Sequence, residues 1–476
     1  MDLTSTRRAA VLACAALAGL AAVAAHGQVN GDRQTMILSA APGGGAADGD
    51  SDNIAFSQDN REIKYIAFDS SATNLVRGDT NGKRDVFVLV RSERGDHASL
   101  AGRIIRVSVG PRGRQANGDS RLPSIDGQTG ENPHCIVFES RATNLARGDR
   151  SPDWDIYLYD TRKKRTILVS PGIKDARTGV VDGECELVTF ESRGRIYVRA
   201  LHLRKTYRIA RGTNPDQATN GKGVAYERNG QIYYQAYFEK FRSKKKGGPY
   251  IKKNGRERLV SANARGRRGN GVSKNPTVDD NGWYVAFEST ATNLCEGGRG
   301  CPGLGTVDRN GPISDIFRRN LNPRRAPTKE HMAMASYSQG CTAKNPGAKT
   351  VDEQGNGPSN NPAMTGAGEN IVFDSEATNL RQSPSIRVAD GNGPVRDVFY
   401  WNFPRKRKCG NVSRESRGEG ARGTEDTLNG DAVRPAASNR ANFIGFTSTL
   451  SGQVGELNGP AIPDVFVRYL GAGPGS

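Results

Sequence analysis

The sequence predicts an all-β fold, a seven-bladed β-propeller of four-stranded antiparallel blades, and three observations carry that expectation. A short apolar segment ending in an aromatic recurs seven times, with the aromatic at Phe68, Phe138, Phe190, Tyr226, Phe287, Phe373 and Phe446. Around each copy the same four strand-like segments follow in order. The chain ends are complementary: the seventh unit stops at its third segment, and a solitary fourth segment stands near the start. A unit repeated at intervals of tens of residues buries its apolar face only against its neighbours, as in repeat architectures.

Composition agrees. A chain of 476 residues with 58 Gly, 23 Pro and 35% hydrophobic residues is too long for one ordinary core and suits many short strands joined by turns. Lys and Arg exceed acids by 68 to 50, a formal charge of +18. That charge bears on solubility and anionic partners, not on fold.

Residues 1–27 read as a signal peptide. Arg7 and Arg8 precede an apolar run from Ala9 to Ala25, and small residues at Ala25 and Gly27 offer a cleavage site before Gln28. The run lacks acids and is shorter than the roughly 18 residues of a membrane helix, so export is expected, to the periplasm or beyond. The Thr-Arg-Arg start resembles a twin-arginine signal. Cys14 lies inside the run and follows no lipobox.

Within 28–476 the elements follow a fixed order. TMILSA, from Thr35 to Ala40, is a fourth segment without its own first three. A first segment such as LPSI near Ile125 leads into Asp126-Gly127, and Asn220-Gly221 and Asn281-Gly282 hold the same place later. These pairs predict two-residue hairpins, whose turn residues need positive φ. The second segment is the aromatic one: IAFDS to Ser70, IVFES to Ser140, VTFES to Ser192, VAYE to Glu227, VAFES to Ser289, IVFDS to Ser375 and IGFTS to Ser448. The third opens with an acid at Asp85, Asp155, Asp315, Asp397 and Asp464. Fourth segments include IIRVSV, TILVS, KTYRIA, RLVSA, MAMAS and GNVS. Four antiparallel strands per repeat describe propeller blades, and pairing the two chain ends closes the ring.

The fullest unit, AFDSSATNLVRGDTNGKRDVFV from Ala67 to Val88, resembles the TolB-like or WD40-like propeller repeats of secreted bacterial proteins. The resemblance extends over the mature chain, with units three and four lacking the ATNL stretch. It implies a periplasmic or extracellular protein-binding scaffold and brings no catalytic residue with it.

Without the signal the seven cysteines become six, an even number in an exported protein. Cys135 and Cys185 lie before the aromatics of successive units, Cys295 and Cys301 bracket a small loop, and Cys341 and Cys409 form the third expected pair. A metal site is the rival reading; the chain has no Cys-x-x-Cys and its five His are scattered.

The connections carry the functional expectations. Links from third to fourth strand hold basic clusters: Arg162, Lys163, Lys164 and Arg165; Lys244, Lys245 and Lys246; Arg405, Lys406, Arg407 and Lys408. These collect on one face, where they suit anionic wall polymer, lipid headgroups or nucleic acid, or serve as soluble tips that prevent edge pairing. The opposite face carries the ATNL loops at Ala72, Ala142, Ala291 and Ala377, read as a shared loop shape with Leu tucked over the blade. Units three and four replace that loop by tight turns, which leaves a low notch at Arg193, Arg195 and Arg228. Asp79, Asn81 and Asp85 alternate around a Gly turn as calcium ligands do, but lack the bidentate Glu of a full calcium loop. A turn-shaping role is therefore preferred.

No nucleophile elbow, His-Glu-x-x-His or phosphate loop occurs. The expected function is a non-enzymatic binding or scaffolding propeller that needs no cofactor, with an envelope protein or anionic polysaccharide as partner. The alternatives are a polysaccharide hydrolase or lyase using paired channel carboxylates, and a calcium-dependent adhesion module. Asp69, Glu139, Glu191 and Glu288, at equivalent strand positions, read as structural repeats.

Overall fold

The computed structural model describes residues 35–471 apart from 60–62, 93–99, 128–131, 150, 238–254, 297–300, 302–307, 323–330, 339–352, 381–392, 394, 404–410, 417–429 and 450–461. The expected signal peptide, the pair Cys341 and Cys409, and the basic clusters at 244–246 and 405–408 lie outside the described residues.

The described strands form seven four-stranded antiparallel sheets and one two-stranded sheet. Blade 1 contains Ser51–Phe56, Tyr65–Ser70, Asp85–Arg91 and Gly102–Arg106, and blade 2 contains Ser120–Ile125, Cys135–Ser140, Asp155–Asp160 and Arg165–Leu168. Blade 3 contains Ala176–Val181, Leu187–Ser192, Arg195–Ala200 and Lys205–Arg211; blade 4 contains Thr213–Gln217, Gly223–Arg228, Gln231–Ala236 and Arg258–Leu259. Blade 5 contains Ser273–Val278, Tyr284–Ser289, Asp315–Asn320 and Met332–Met334; blade 6 contains Ser359–Met364, Asn370–Ser375, Asp397–Asn402 and Asn411–Arg414. Blade 7 takes Ala432–Ala437, Phe443–Ser448 and Asp464–Tyr469 from one end of the chain and Thr35–Ile37 from the other. The seven-bladed ring with its two-ended last blade is thus as the sequence predicts.

The repeat aromatic explains why the blades stack. A second strand is covered by a neighbouring blade on each side, so both of its faces are apolar and it is buried almost throughout. Each repeat aromatic is fully buried and stacks on a third-strand aromatic, from Phe68 on Phe87 at 5.8 Å to Phe446 on Phe466 at 5.7 Å between centroids. The same pairing occurs in the five blades between. The core clusters cross blade boundaries: Val86 and Val88 of blade 1 pack with Ile136 and Phe138 of blade 2.

The acid that opens the third strand is tied to a serine after the fourth. Ser170 donates to Asp155, Ser336 to Asp315 and Ser416 to Asp397 at 2.5, 2.6 and 2.6 Å. Each serine oxygen also accepts the N–H of the residue after the acid, at 3.0–3.1 Å. In blade 4 Gln231 replaces the acid and accepts from Ser261 at 2.8 Å.

Candidate functional site: the channel and the arginine rim

The first strands of all seven blades line a central cavity of about 470 Å³. Each carries one non-glycine residue at positive φ: Asn53 (54°), Leu122 (52°), Thr178 (51°), Asn214 (47°), Asn275 (50°), Asn361 (51°) and Arg434 (51°). At every one the ladder to the second strand slips by a β-bulge. The bulge turns a backbone N–H toward the preceding blade, where the acid beside the repeat aromatic accepts it. Leu122 donates to Asp69 at 3.0 Å, Thr178 to Glu139 at 2.8 Å and Asn214 to Glu191 at 3.0 Å. Asn275 donates to Glu227 at 2.8 Å, Asn361 to Glu288 at 2.8 Å and Arg434 to Asp374 at 3.2 Å. The acid position of blade 7 is Thr447, and there Asp52 of blade 1 supplies the carboxylate, accepting from Thr447 Oγ1 at 2.7 Å. Backbone strain of this kind costs about 1–3 kcal/mol per residue, and a charge-assisted hydrogen bond at each bulge offsets it.

The repeat acids are therefore inter-blade clasps. Burial raises Asp69 and Glu191 above the usual carboxylate range and pushes Asp374 up to about 6. Above them an amide ladder runs across blades 4 to 6: Asn214 Nδ2 donates to Asn275 Oδ1 at 2.9 Å, and Asn275 Nδ2 to Asn361 Oδ1 at 3.3 Å. Asp216 stands deeper in the channel. Burial pushes it to about 6, and it accepts the Val278 N–H at 2.7 Å.

The turns from first to second strand close the far end of the channel with a belt of hydrogen bonds. Gln58 N donates to Asp126 O (3.3 Å), Gly127 N to Gly183 O (3.1 Å), Gly183 N to Thr219 O (2.7 Å) and Asn220 N to Asp280 O (3.1 Å). Asp280 N donates to Gly366 O (3.0 Å) and Gly366 N to Asn439 O (3.0 Å). Asn439 Nδ2 returns to Gln58 O at 3.3 Å. This corrects the expectation of two-residue hairpins. In blade 5 four residues separate Asp279 from Tyr284, and Asp279 Oδ1 accepts the N–H groups of Trp283 and Tyr284 at 2.7 and 2.8 Å. A tight I′ turn would leave no backbone groups for the adjacent blade. At Gly127 (φ 138°) the belt passes so close that a Cβ would lie 2.8 Å from the Gln58 and Asp59 nitrogens.

On the other face, the ATNL loops clasp the segment that leads into their own blade. Asn144 Nδ2 donates to Gln115 O at 2.8 Å and its Oδ1 accepts Asn117 N at 3.1 Å; Asn117 Nδ2 donates to Thr143 Oγ1 at 2.9 Å. Equivalent pairs join Asn270 with Thr292 and Asn356 with Thr378. Leu75, Leu145, Leu294 and Leu380 are buried as expected, but the Thr and Asn bonds reach 22–29 residues back and are not local. The sequence carries an overlooked signal for this clasp, the recurring Asn-Gly-x-Ser at Asn117, Asn270 and Asn356.

Blades 3 and 4 end on this face in two-residue turns, Arg193-Gly194 and Asn229-Gly230, all four at positive φ. The three expected notch residues separate there. Arg228 pairs with Glu257 and lies 3.9 Å from the Tyr233 ring centroid, while Arg193 and Arg195 are exposed. Arg195 is in register with Arg211, and Arg208 faces Tyr197 on the same side of the sheet. Arg195, Arg208 and Arg211 line a cleft of about 280 Å³ with Ile209 and Ala210. From Arg193 to Gly212 the chain also holds Arg199, Arg204 and Lys205 and has no acid. Burial, then the nearby Arg204, depresses the Arg199 guanidinium. Arg208 and Arg211 escaped the notch reading because they lie on the fourth strand; the acid-free run was the available signal. At the boundary with blade 2, Arg121 and Arg141 of that blade and Arg177 of blade 3 surround Trp154 at 4.3, 5.6 and 5.4 Å.

The other expected sites fall elsewhere. Asp79 and Asp85 face the guanidinium of Arg106 at 2.7 and 3.2 Å, Asn81 donates to Asp85 at 2.7 Å, and Asn81 Oδ1 accepts Lys83 N at 3.0 Å as a turn former does. The hairpin tip Arg162 to Arg165 is exposed on the belt face, with Lys163 paired to Asp160 at 3.1 Å. Cys135 bonds to Cys185 and Cys295 to Cys301. Among the described residues no helix is long and apolar enough to cross a membrane.

No family model and no curated protein matches this sequence. Among solved structures it is similar to the propeller domain of the Trilobed protease from Pyrococcus furiosus (7% identity, TM-score 0.44, covering 89% of this chain and 96% of that one). It is also similar to the tricorn protease (13%, 0.38, covering 88% of this chain and 33% of that one). A third is a putative TolB from Agrobacterium tumefaciens (12%, 0.36, covering 78% and 95%). No residue role is carried over from them.

Proposed function

We propose that the chain is a non-enzymatic, exported binding propeller that captures an anionic partner, a polysaccharide or an acidic protein surface, on the outer strands of blade 3. The observation that carries this reading is the Arg195/Arg211 pair. Like charges directly opposite across strands destabilise a sheet, and an anion seated between them removes the repulsion. Arg208 in the same cleft adds a third guanidinium, suited to bidentate contacts with carboxylate or sulfate. The repeat carboxylates are engaged in holding successive blades together, which supports a role on the rim over one in the channel. Disulfides persist in oxidising compartments, which supports export.

The test is retention of the protein on an immobilised polyuronate and on a sulfated polysaccharide, eluted with salt. Wild type should bind and be released as salt rises. Replacing Arg195, Arg208 and Arg211 together by Ala should abolish retention, whereas Lys163→Ala/Lys164→Ala on the opposite face should leave it. Equal retention of the triple variant would refute the reading.

A further inference from the structure

Asp126, His134, Cys135 and Cys185 converge at the boundary of blades 2 and 3, on the belt face. One carboxylate oxygen, one imidazole nitrogen and the two sulfurs all lie within 4.8 Å of one another. They arrive from separate places: Asp126 from the turn after the first strand of blade 2, His134 and Cys135 from the start of its second strand, and Cys185 from the corresponding turn of blade 3. Asp126 is already oriented. Its Oδ1 accepts the N–H groups of His134 and Cys135 at 2.8 and 2.9 Å, which leaves Oδ2 3.1 Å from His134 Nδ1.

We propose that this cluster is a redox-gated site for a zinc-class divalent cation, closed by the Cys135–Cys185 disulfide and opened by its reduction. Two thiolates, an imidazole and a carboxylate are a four-ligand set of the kind that borderline-soft Zn²⁺ takes in tetrahedral geometry. The Cα atoms of the two cysteines are 6.1 Å apart, so the sulfurs can move from mutual bonding to a shared ion by side-chain rotation. His134 is 19% exposed along its side chain and gives the ion a route from solvent.

A dithiol reductant gives two electrons and two protons to the disulfide and is itself oxidised to a disulfide; the sulfur–sulfur bond breaks and two thiols form. The cation then displaces both thiol protons into solvent and bonds the two thiolates. The link between blades 2 and 3 is kept in both states, covalently in one and through the ion in the other. The scattered His and the lack of Cys-x-x-Cys hid this set, because its members meet only when two successive blades pack.

The test is titration of the full protein with Co²⁺ and Zn²⁺ before and after dithiol reduction. The reduced wild type should take up one equivalent of Co²⁺ with tetrahedral d–d bands and thiolate charge-transfer absorption, and Zn²⁺ should displace it. The disulfide form and a Cys135→Ser/Cys185→Ser variant, both still carrying the other cysteines, should lack that equivalent. His134→Ala should weaken it by about ten-fold or more. Equal uptake by reduced wild type and the double variant, or unchanged affinity in His134→Ala, would overturn the site. Should reduction unfold the chain, Zn²⁺ must raise the melting temperature of reduced wild type more than that of His134→Ala, and failure to do so is equally decisive against it.

Discussion

Ser39 donates its hydroxyl to the Asp464 carboxylate at 2.7 Å across 425 residues of chain, and the same oxygen accepts the Val465 N–H at 3.0 Å. This is the contact that Ser170 makes with Asp155, and Ser416 with Asp397, inside a single blade. The beginning of the chain thus completes blade 7 with a fourth strand and also with the serine that binds a third-strand acid. Thr35–Ile37 pairs with Arg468, Val467 and Phe466, and Thr35 accepts from Arg468 at 2.9 Å.

Ser39→Ala should lower the unfolding free energy by about 1–3 kcal/mol, because it removes one hydrogen bond to the buried Asp464 carboxylate and the acceptor of the Val465 N–H. Chemical denaturation measures it. A loss of a few tenths would mean that the strand pairing closes the ring without the serine.

Glu288→Ala should cost about 1–3 kcal/mol, since the strained Asn361 N–H loses its acceptor. Glu288→Gln keeps an oxygen in place and should cost clearly less. Equal losses in thermal melts would show that the carboxylate's charge, not its hydrogen bond, holds blades 5 and 6.

In the ATNL loop of blade 2, Leu145→Ala should cost about 2–5 kcal/mol as a cavity-forming change at a fully buried position. Asn144→Ala loses two hydrogen bonds at the surface and should cost about 1–2 kcal/mol. The reverse order would argue that the loop is kept for contacts outside the fold.

Burial pushes Asp279 and Asp315 up to about 7, and Asp155, Asp216 and Asp374 up to about 6. Between the unfolded value near 4 and these folded values the native state holds protons that the unfolded chain has lost, so stability falls as pH rises. His134 is raised by its hydrogen bond to Asp126; its contribution is full below the unfolded value and is lost as pH rises through the folded one, the same direction. Asp160 runs the other way, its burial outweighed by hydrogen bonds from Lys163 and Arg162. The melting temperature should therefore be higher at pH 5 than at pH 8, and Asp315→Asn should flatten the difference. A melting temperature that rises over this range would contradict the assignment.

Much of the architecture was legible in the chain. The repeat aromatics, the strand order and the complementary ends are one-dimensional patterns, because a propeller blade is built from consecutive residues and stacks only on the next. The site was less legible for the same reason. Arg195 was readable from a short loop, but its partner Arg211 is set by strand register, which no local pattern displays. The pairs Asp126-Gly127 and Asn281-Gly282 were visible as turn formers, yet the belt their turns shape forms between blades and replaces the two-residue hairpins that the local pairs favour.

By itself, the sequence determined the all-β class, the count of seven blades and which links share a face, since each follows from spacing along the chain; it offered the cysteine pairs only as candidates, two of which the structure shows bonded. Only the tertiary structure decided what the repeat acids do, where the arginines converge and that Asp126 and His134 stand beside the Cys135–Cys185 bond. Those outcomes depend on contacts between blades, whose geometry is set when successive sheets pack and twist against one another.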